Sequence, residues 1–336
     1  MTIDLDRVAN WMAAQGIALR GPLAATKFAG GQSNPTYRLS DGAQDWVLRR
    51  KPPGKLLKSA HAVDREYRVQ AALATSGVPV APMIALCEDE AVIGSVFYLM
   101  GHVAGRGFDD PRLPAVPVSE RHAYFSEMCR VLAALHQTDL AATGLSDFGP
   151  RGNYYRRQID RWSRQYRASE TGEIAAMDRL IAALDSACPE EDGRATLVHG
   201  DYRIDNLLFA ADAPRIVAVL DWELSTIGHP FADLAAVIMQ WQMPPGAQGR
   251  GLAGVDRAAA GLPSDDAFVA QYCAHMGLSH IENFGFYVAF SFFRMAAILQ
   301  GVRRRALDGN ASDPARGLEL GALVPRYAEA GLDALD

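Results

Sequence analysis

The chain has only four cysteines, Cys87, Cys129, Cys188 and Cys273, and no two of them form a C-x-x-C pair. This argues against a disulfide framework and structural zinc, and it suits a reducing cytoplasm. An excess of positive charge is also missing: 33 Lys and Arg face 39 Asp and Glu, for a net charge of −6. A general nucleic-acid binder would usually be basic. Long uninterrupted apolar runs are lacking too. The most apolar stretch, Phe284 to Leu299, contains Ser291 and Arg294. It falls short of the roughly 18 apolar residues of a membrane span and reads as a buried helix. The N-terminus has no apolar signal region, because Asp4, Asp6 and Arg7 interrupt its first turns. Leu5, Val8, Trp11 and Met12 instead fit one face of an amphipathic helix. Neither a membrane nor a nucleic acid is therefore expected as a partner, and no internal repeat is seen.

Hydrophobic residues make up 49% of 336, enough for one large or two modest domains. Three strands are predicted over residues 24–50. The turn-forming cluster Gly30-Gly31-Gln32-Ser33-Asn34-Pro35 separates the first two, and Pro52-Pro53-Gly54 stops the third. A helix is expected over about 62–76 and a further strand over Phe97–Met100. After Gly105 the pattern turns helical, over 119–138, 153–168, 172–187 and about 265–306. The exception is 196–222, where Leu207–Phe209 and Arg215–Leu220 flank Ala210–Pro214 and read as a hairpin. Residues 243–264, rich in Gly, Ala and Pro, read as a mobile loop.

The strongest signal is His199-Gly200-Asp201-Tyr202-Arg203-Ile204-Asp205-Asn206, followed by Asp221-Trp222-Glu223. It places a carboxylate, a carboxamide and a second carboxylate at the spacing used in phosphoryl transfer, where the protein mainly positions reactants and neutralises charge. Asp201 can accept a proton from a substrate hydroxyl. Asn206 and Asp221 offer the hard oxygen donors that Mg²⁺ prefers, and the hairpin would return Asp221 beside Asn206.

The segments Gly30–Leu39, Trp46–Gly54, Val63–Leu73, Leu197–Phe209 and Val219–Leu234 together resemble the aminoglycoside phosphotransferase (choline-kinase-like) superfamily. Within it, the chain is most similar to the phosphotransferase domains related to those fused to acyl-CoA dehydrogenases in some eukaryotes. The resemblance runs nearly end to end. It implies an α+β, bilobal protein-kinase-like fold. A small N-terminal antiparallel sheet with one helix would form the nucleotide-binding lobe (1–100), with a hinge at 101–104. A larger, mainly helical lobe carrying the catalytic hairpin (105–336) would bind the acceptor. ATP and Mg²⁺ are the implied cofactors.

The resemblance also assigns roles. Asp201 would be the catalytic base and Asn206 and Asp221 the metal ligands. Gly30, Gly31, Gln32, Ser33 and Asn34 would form the loop over the phosphates. Met100, Gly101 and Val103 would hold adenine through backbone groups. Arg203 stands where protein kinases often have a lysine that contacts the transferred phosphate; a salt bridge to a neighbouring carboxylate is the competing reading. Two positions depart from the kinase pattern. Val47-Leu48-Arg49 puts Arg49 where a lysine is usual, with Glu66 as its helix partner; Arg50 and Lys51 are the alternatives. Asp221-Trp222-Glu223 replaces Asp-Phe-Gly, so no phenylalanine switch is implied, and Glu223 reads as solvated, with a contribution to the metal site as the alternative. His199 is expected to brace the catalytic loop, Asp233 to anchor it, and His136 to be a packed histidine.

The acceptor is less sharply indicated. Residues 240–310 carry five acids and six arginines, a balance that does not suggest a pocket for a polycationic antibiotic. The aromatic residues Phe284 to Phe293 read as core packing, with an apolar acceptor wall as the alternative. The similarity to dehydrogenase-fused domains implies a small-molecule hydroxyl acceptor of the hydroxyacyl type. The other readings are an aminoglycoside-modifying kinase, a nucleotide-binding pseudokinase and a protein kinase. The last is disfavoured by the lack of an Ala-Pro-Glu-type element after Asp221.

Overall fold

The computed structural model describes residues 3–28, 34–52, 62–246, 250–311 and 313–336. In chain order its elements are α1 (Leu5–Ala14), β1 (Ala24–Lys27), β2 (Thr36–Ser40), β3 (Asp45–Arg50), α2 (Val63–Leu73), β4 (Met83–Cys87), β5 (Phe97–Gly101), α3 (Val118–His136), α4 (Tyr154–Ser169) and α5 (Ala175–Ala187). These are followed by β6 (Thr196–Val198), β7 (Leu207–Phe209), β8 (Ile216–Val219), β9 (Thr226–Gly228), α6 (Phe231–Gln242), α7 (Asp265–Met276), α8 (Phe284–Leu307), α9 (Pro314–Gly321) and α10 (Val324–Asp333). Single 3₁₀ turns cover Ile204–Asn206 and Trp222–Leu224.

Two compact units divide the chain. The first comprises Met1–Phe108, Thr138–Ser146 and Ile204–Ser225. It holds a five-stranded antiparallel sheet of order β1-β2-β3-β5-β4 and the separate hairpin β7–β8. The period-two alternation of β3 decides its two faces. Trp46 and Leu48 join Leu39, Phe97 and Leu99 in a core that receives Val8 and Met12 of α1. Trp11 meets Phe97 edge-on with ring centroids 4.8 Å apart. The N-terminal amphipathic helix is thus observed, capped by Asp4 accepting from the Arg7 N–H. Val47 and Arg49 occupy the other face of β3.

The second unit comprises Asp109–Gln137, Asp147–Arg203 and Thr226–Asp336. Helix α8 is its centre and packs against α4, α5, α6, α9 and α10, while α3 packs against α7. By length and composition α8 could cross a membrane, but 72% of its most apolar window is buried in the protein. Phe286, Tyr287, Phe290, Phe292 and Phe293 are all core, which favours the packing reading of that stretch.

The single helix expected over 265–306 is two. Gly277, at φ +69, ends α7, and Asn283, at φ +50, precedes α8. The described part of 243–264 contains no helix or strand. Five elements were not expected: β4, the two three-residue strands β6 and β9, and helices α9 and α10. Helix α6 was unforeseen as well, because it is buried nearly all round and shows no amphipathic period.

Candidate active site

In the first unit the chemistry gathers around Arg49. Its Nε donates to Glu66 Oε2 at 2.7 Å and its Nη2 to Asp221 Oδ1 at 2.6 Å. Glu223 lies 4.0 Å from the same nitrogen and is half-buried rather than solvated. Strand alternation selects Arg49 over its neighbours: Arg50 falls on the opposite face and Lys51 pairs with Asp64 at 3.5 Å. Glu66 is 1% exposed and takes three donors, namely Arg49, the Asn34 amide at 2.6 Å and the Tyr98 hydroxyl at 3.2 Å. A buried carboxylate needs such partners. Burial pushes the Glu66 carboxyl above its ordinary range, against the pull of Arg49. For Arg49, burial opposes the charge, but Glu66 and Asp221 outweigh it and raise the guanidinium above its ordinary value.

The hairpin β7–β8 positions Asn206 and Asp221. Leu207 pairs with Val219, and the Leu220 N–H donates to Asn206 O at 2.8 Å. The residue before β7 and the residues after β8 therefore lie at the same end of the hairpin, as the sequence suggested. Asp221 adopts φ 63, ψ 63, a left-handed conformation that Asp tolerates better than most side chains. The 3₁₀ turn that follows is locked by Trp222, which is buried and donates from Nε1 to Val219 O at 2.9 Å. A carboxylate and a carboxamide form a hard-oxygen pair that fits Mg²⁺, an ion that keeps waters and takes remaining ligands from phosphates. Among the described residues no group of three or more His, Cys, Asp and Glu forms a richer metal cluster.

In the second unit the loop 199–203 hangs from Asp233 on α6. The Asp233 carboxylate accepts the N–H of His199 at 2.7 Å and that of Gly200 at 2.8 Å, and His136 Nε2 approaches it at 3.3 Å. His136 Nδ1 meets the Tyr272 hydroxyl at 2.7 Å. Burial alone would raise the Asp233 carboxyl, but His136 and the His199 N–H hold it below the usual carboxylate range. His199 Nδ1 accepts the Asp201 N–H at 3.2 Å, so His199 braces the loop. Arg294 of α8 donates to Gly200 O at 3.0 Å, and the Tyr202 hydroxyl donates to Met128 O at 2.8 Å. This scaffold leaves the Asp201 side chain about a quarter exposed and 3.3 Å from Arg203 Nε, the ion pair weighed in the sequence.

The remaining candidates are placed as follows. Gly30, Gly31, Gln32 and Ser33 lie outside the described residues. Asn34 is buried, and its side-chain amide donates to Glu66. Met100 and Gly101 end β5, and the Gly101 N–H donates to Pro82 O at 2.8 Å. Val103 follows that strand. Sequence reasoning missed the contributions of Asn34, Tyr98 and Arg294. Only a polar side chain on a strand or helix otherwise rich in apolar residues hinted at the last two.

Comparison with known proteins bears on the family and the fold. The model of the phosphotransferase enzyme family matches residues 24–271. Acyl-CoA dehydrogenase family member 10 of Mus musculus is 46% identical over 335 residues, covering 99% of this chain and 31% of that protein. Acyl-CoA dehydrogenase family member 11 of Gallus gallus is 43% identical over 316 residues, covering 93% and 40%. The chain thus spans well under half the length of these relatives. A crystal structure from Ralstonia eutropha, provisionally named an aminoglycoside phosphotransferase, superposes with TM-score 0.91 at 46% identity and covers 99% of this chain and 98% of its own. Aminoglycoside phosphotransferase APH(4)-Ia, solved with AMP-PNP and hygromycin B, shares the fold at TM-score 0.62 and 15% identity over 97% and 98% of the two chains. With family model, relatives and fold in agreement, the chain belongs to the phosphotransferase enzyme family.

Proposed function

We propose that the protein transfers the γ-phosphoryl group of Mg·ATP to a hydroxyl of a small molecule, and that the acceptor is a hydroxylated acyl compound such as a hydroxyacyl-CoA. The observation that carries the transfer reading is the Arg49 fork, which holds Glu66 and Asp221 at 2.7 and 2.6 Å. A planar, permanently charged guanidinium matches phosphate oxygens as well as carboxylates, so Arg49 suits the role of the usual lysine.

Asp201 accepts the acceptor's hydroxyl proton late in the transfer, as the hydroxyl oxygen bonds the γ-phosphorus and the bond to the β–γ bridging oxygen breaks, releasing ADP. Arg203 steadies the Asp201 carboxylate and offers a cation to the transferred group. Asn206 and Asp221 would hold Mg²⁺, which when bound neutralises phosphate charge. The acyl acceptor is supported by the likeness to proteins named as acyl-CoA dehydrogenases, and the near-even charge balance of 240–310 does not favour a polycationic acceptor. The cysteine pattern supports work in the cytoplasm.

The test is ADP release with Mg·ATP and a panel of hydroxyacyl-CoAs and aminoglycosides. Release with the acyl acceptors is expected, and release with aminoglycosides alone would sink the acyl reading. Asp201→Asn should lower kcat by about 100- to 10,000-fold while leaving nucleotide binding intact; loss of ATP binding would mean that Asp201 has another role. A second reading, a nucleotide binder without transfer activity, draws on Arg49 standing in the lysine position and pairing with Asp221. A Mg·ATP thermal shift without turnover on any acceptor would favour it.

A further inference from the structure

A cavity of about 250 Å³ opens in the second unit beside the catalytic loop. Three arginines line it: Arg203 from the loop, Arg250 from the segment after α6, and Arg326 from α10. Met239, Met243 and Met295 contribute apolar wall. No Asp or Glu lines it among the described residues. Because Arg203 also reaches Asp201 at 3.3 Å, the cavity begins one side chain away from the proposed base.

The arginines are placed by the fold. The Leu252 N–H donates to Trp241 O at 2.9 Å and the Ala253 N–H to Met243 O at 3.1 Å, clamping the chain after Arg250 to the end of α6. Gly251 permits this approach, since a Cβ there would sit 1.7 Å from Met243 O. Burial raises the pKa of the Tyr327 hydroxyl, and Arg250 and Arg326, which line the same cavity, both act to lower it.

Arg203 is engaged by Asp201, but Arg250 and Arg326 add positive charge to a wall lined by no Asp or Glu among the described residues, which disfavours a polycation and favours an anion. Arginine is the side chain best matched to carboxylate and phosphate. Methionine adapts to flexible apolar groups. The geometry points to this cavity as the acceptor site, its ligand an anion carried on an apolar, hydroxylated stem, with Arg250 and Arg326 as the residues that select the charge. The assignment rests on the phosphotransfer reading for placing the hydroxyl at Asp201. The anion is either the carboxylate of a free hydroxy acid or the phosphates of its coenzyme A thioester.

The experiment uses the full chain and three probes: hydroxyhexanoate, its methyl ester and its coenzyme A thioester. Equilibrium binding without nucleotide and ADP release with Mg·ATP are both measured, for wild type and for Arg250→Gln, Arg326→Gln and the double variant. The double variant should bind the anionic probes about 10- to 100-fold more weakly, with the methyl ester unaffected and the loss appearing in KM with kcat held. An effect on the free acid alone identifies the carboxylate; an effect on the thioester alone identifies its phosphates. Arg326 is exposed, so Arg326→Gln carries the test should Arg250→Gln misfold. Equal wild-type affinity for the neutral ester, unchanged anion binding in the double variant, or no binding of any probe would overturn the proposal. Charge-selective binding without ADP release leaves the anion site standing and removes the transfer reading. Turnover of neutral or polycationic acceptors alone does the reverse.

Discussion

Arg49 shows what an arginine does where the kinase pattern has a lysine. A lysine offers one point charge, whereas this guanidinium reaches Glu66 and Asp221 at once, from a side chain only 11% exposed. Arg49→Lys should therefore loosen both carboxylates and weaken Mg·ATP binding by about 10- to 100-fold, the cost of losing one charge-assisted hydrogen bond. Fluorescence titration with an ATP analogue checks this, and unchanged affinity would show that the fork is dispensable. The facing of Arg49 was legible in the sequence because β3 alternates. The use of Asn34 was not. Its amide looked available to a phosphate, and only the fold shows it turned to the buried Glu66.

At the scale of elements, the loop 199–203 depends on α6. Asp233 accepts from His199 and Gly200 N–H groups and from His136, so three donors converge on an acceptor-only group. Asp233→Asn offers one acceptor and one donor, setting an N–H₂ against an N–H. It should destabilise the protein by about 3 kcal/mol, in the range for breaking a buried polar pair. Denaturant unfolding would measure the loss, and a change below about 0.5 kcal/mol would contradict the anchoring role. The sequence placed Asp233 near the loop but did not show the helix carrying it. A helix buried on nearly every side has no polar face to mark its period. Strands β6 and β9 are three residues each, too short for alternation to register, and they exist because each supplies the other's hydrogen bonds.

For the whole molecule, the same carboxylate sets a pH dependence. The folded Asp233 is a stronger acid than an unfolded Asp, so in the acid range the unfolded chain binds more protons. Its stabilisation is complete above about pH 4 and is lost as pH falls through the lowered folded value. Glu66, raised by burial, acts in the opposite sense and loses stabilisation as pH rises, so the total curve blends the two. The difference between wild type and Asp233→Asn isolates the first: their stability gap should begin to shrink near pH 4 and narrow below it. A gap constant from pH 7 to pH 3 would refute the assignment. The aromatic run of α8 also belongs to this scale. Its composition left a core and an acceptor wall open, and burial among α4, α5, α6, α9 and α10 favours the core.

The sequence alone determined the family chemistry and the local frame that carries it. Spacing within a turn and a hairpin is covalent, so His199–Asn206 and Asp221 were readable without coordinates, as were the faces of α1 and β3, whose periods are local. Tertiary structure decided everything that depends on residues far apart in the chain. It set Asp221 against Arg49 across 172 positions and Arg294 under Gly200 across 94. It also gathered Arg203, Arg250 and Arg326 around one cavity. No local pattern encodes such meetings, because each is fixed by the packing of elements whose order in space differs from their order in the chain.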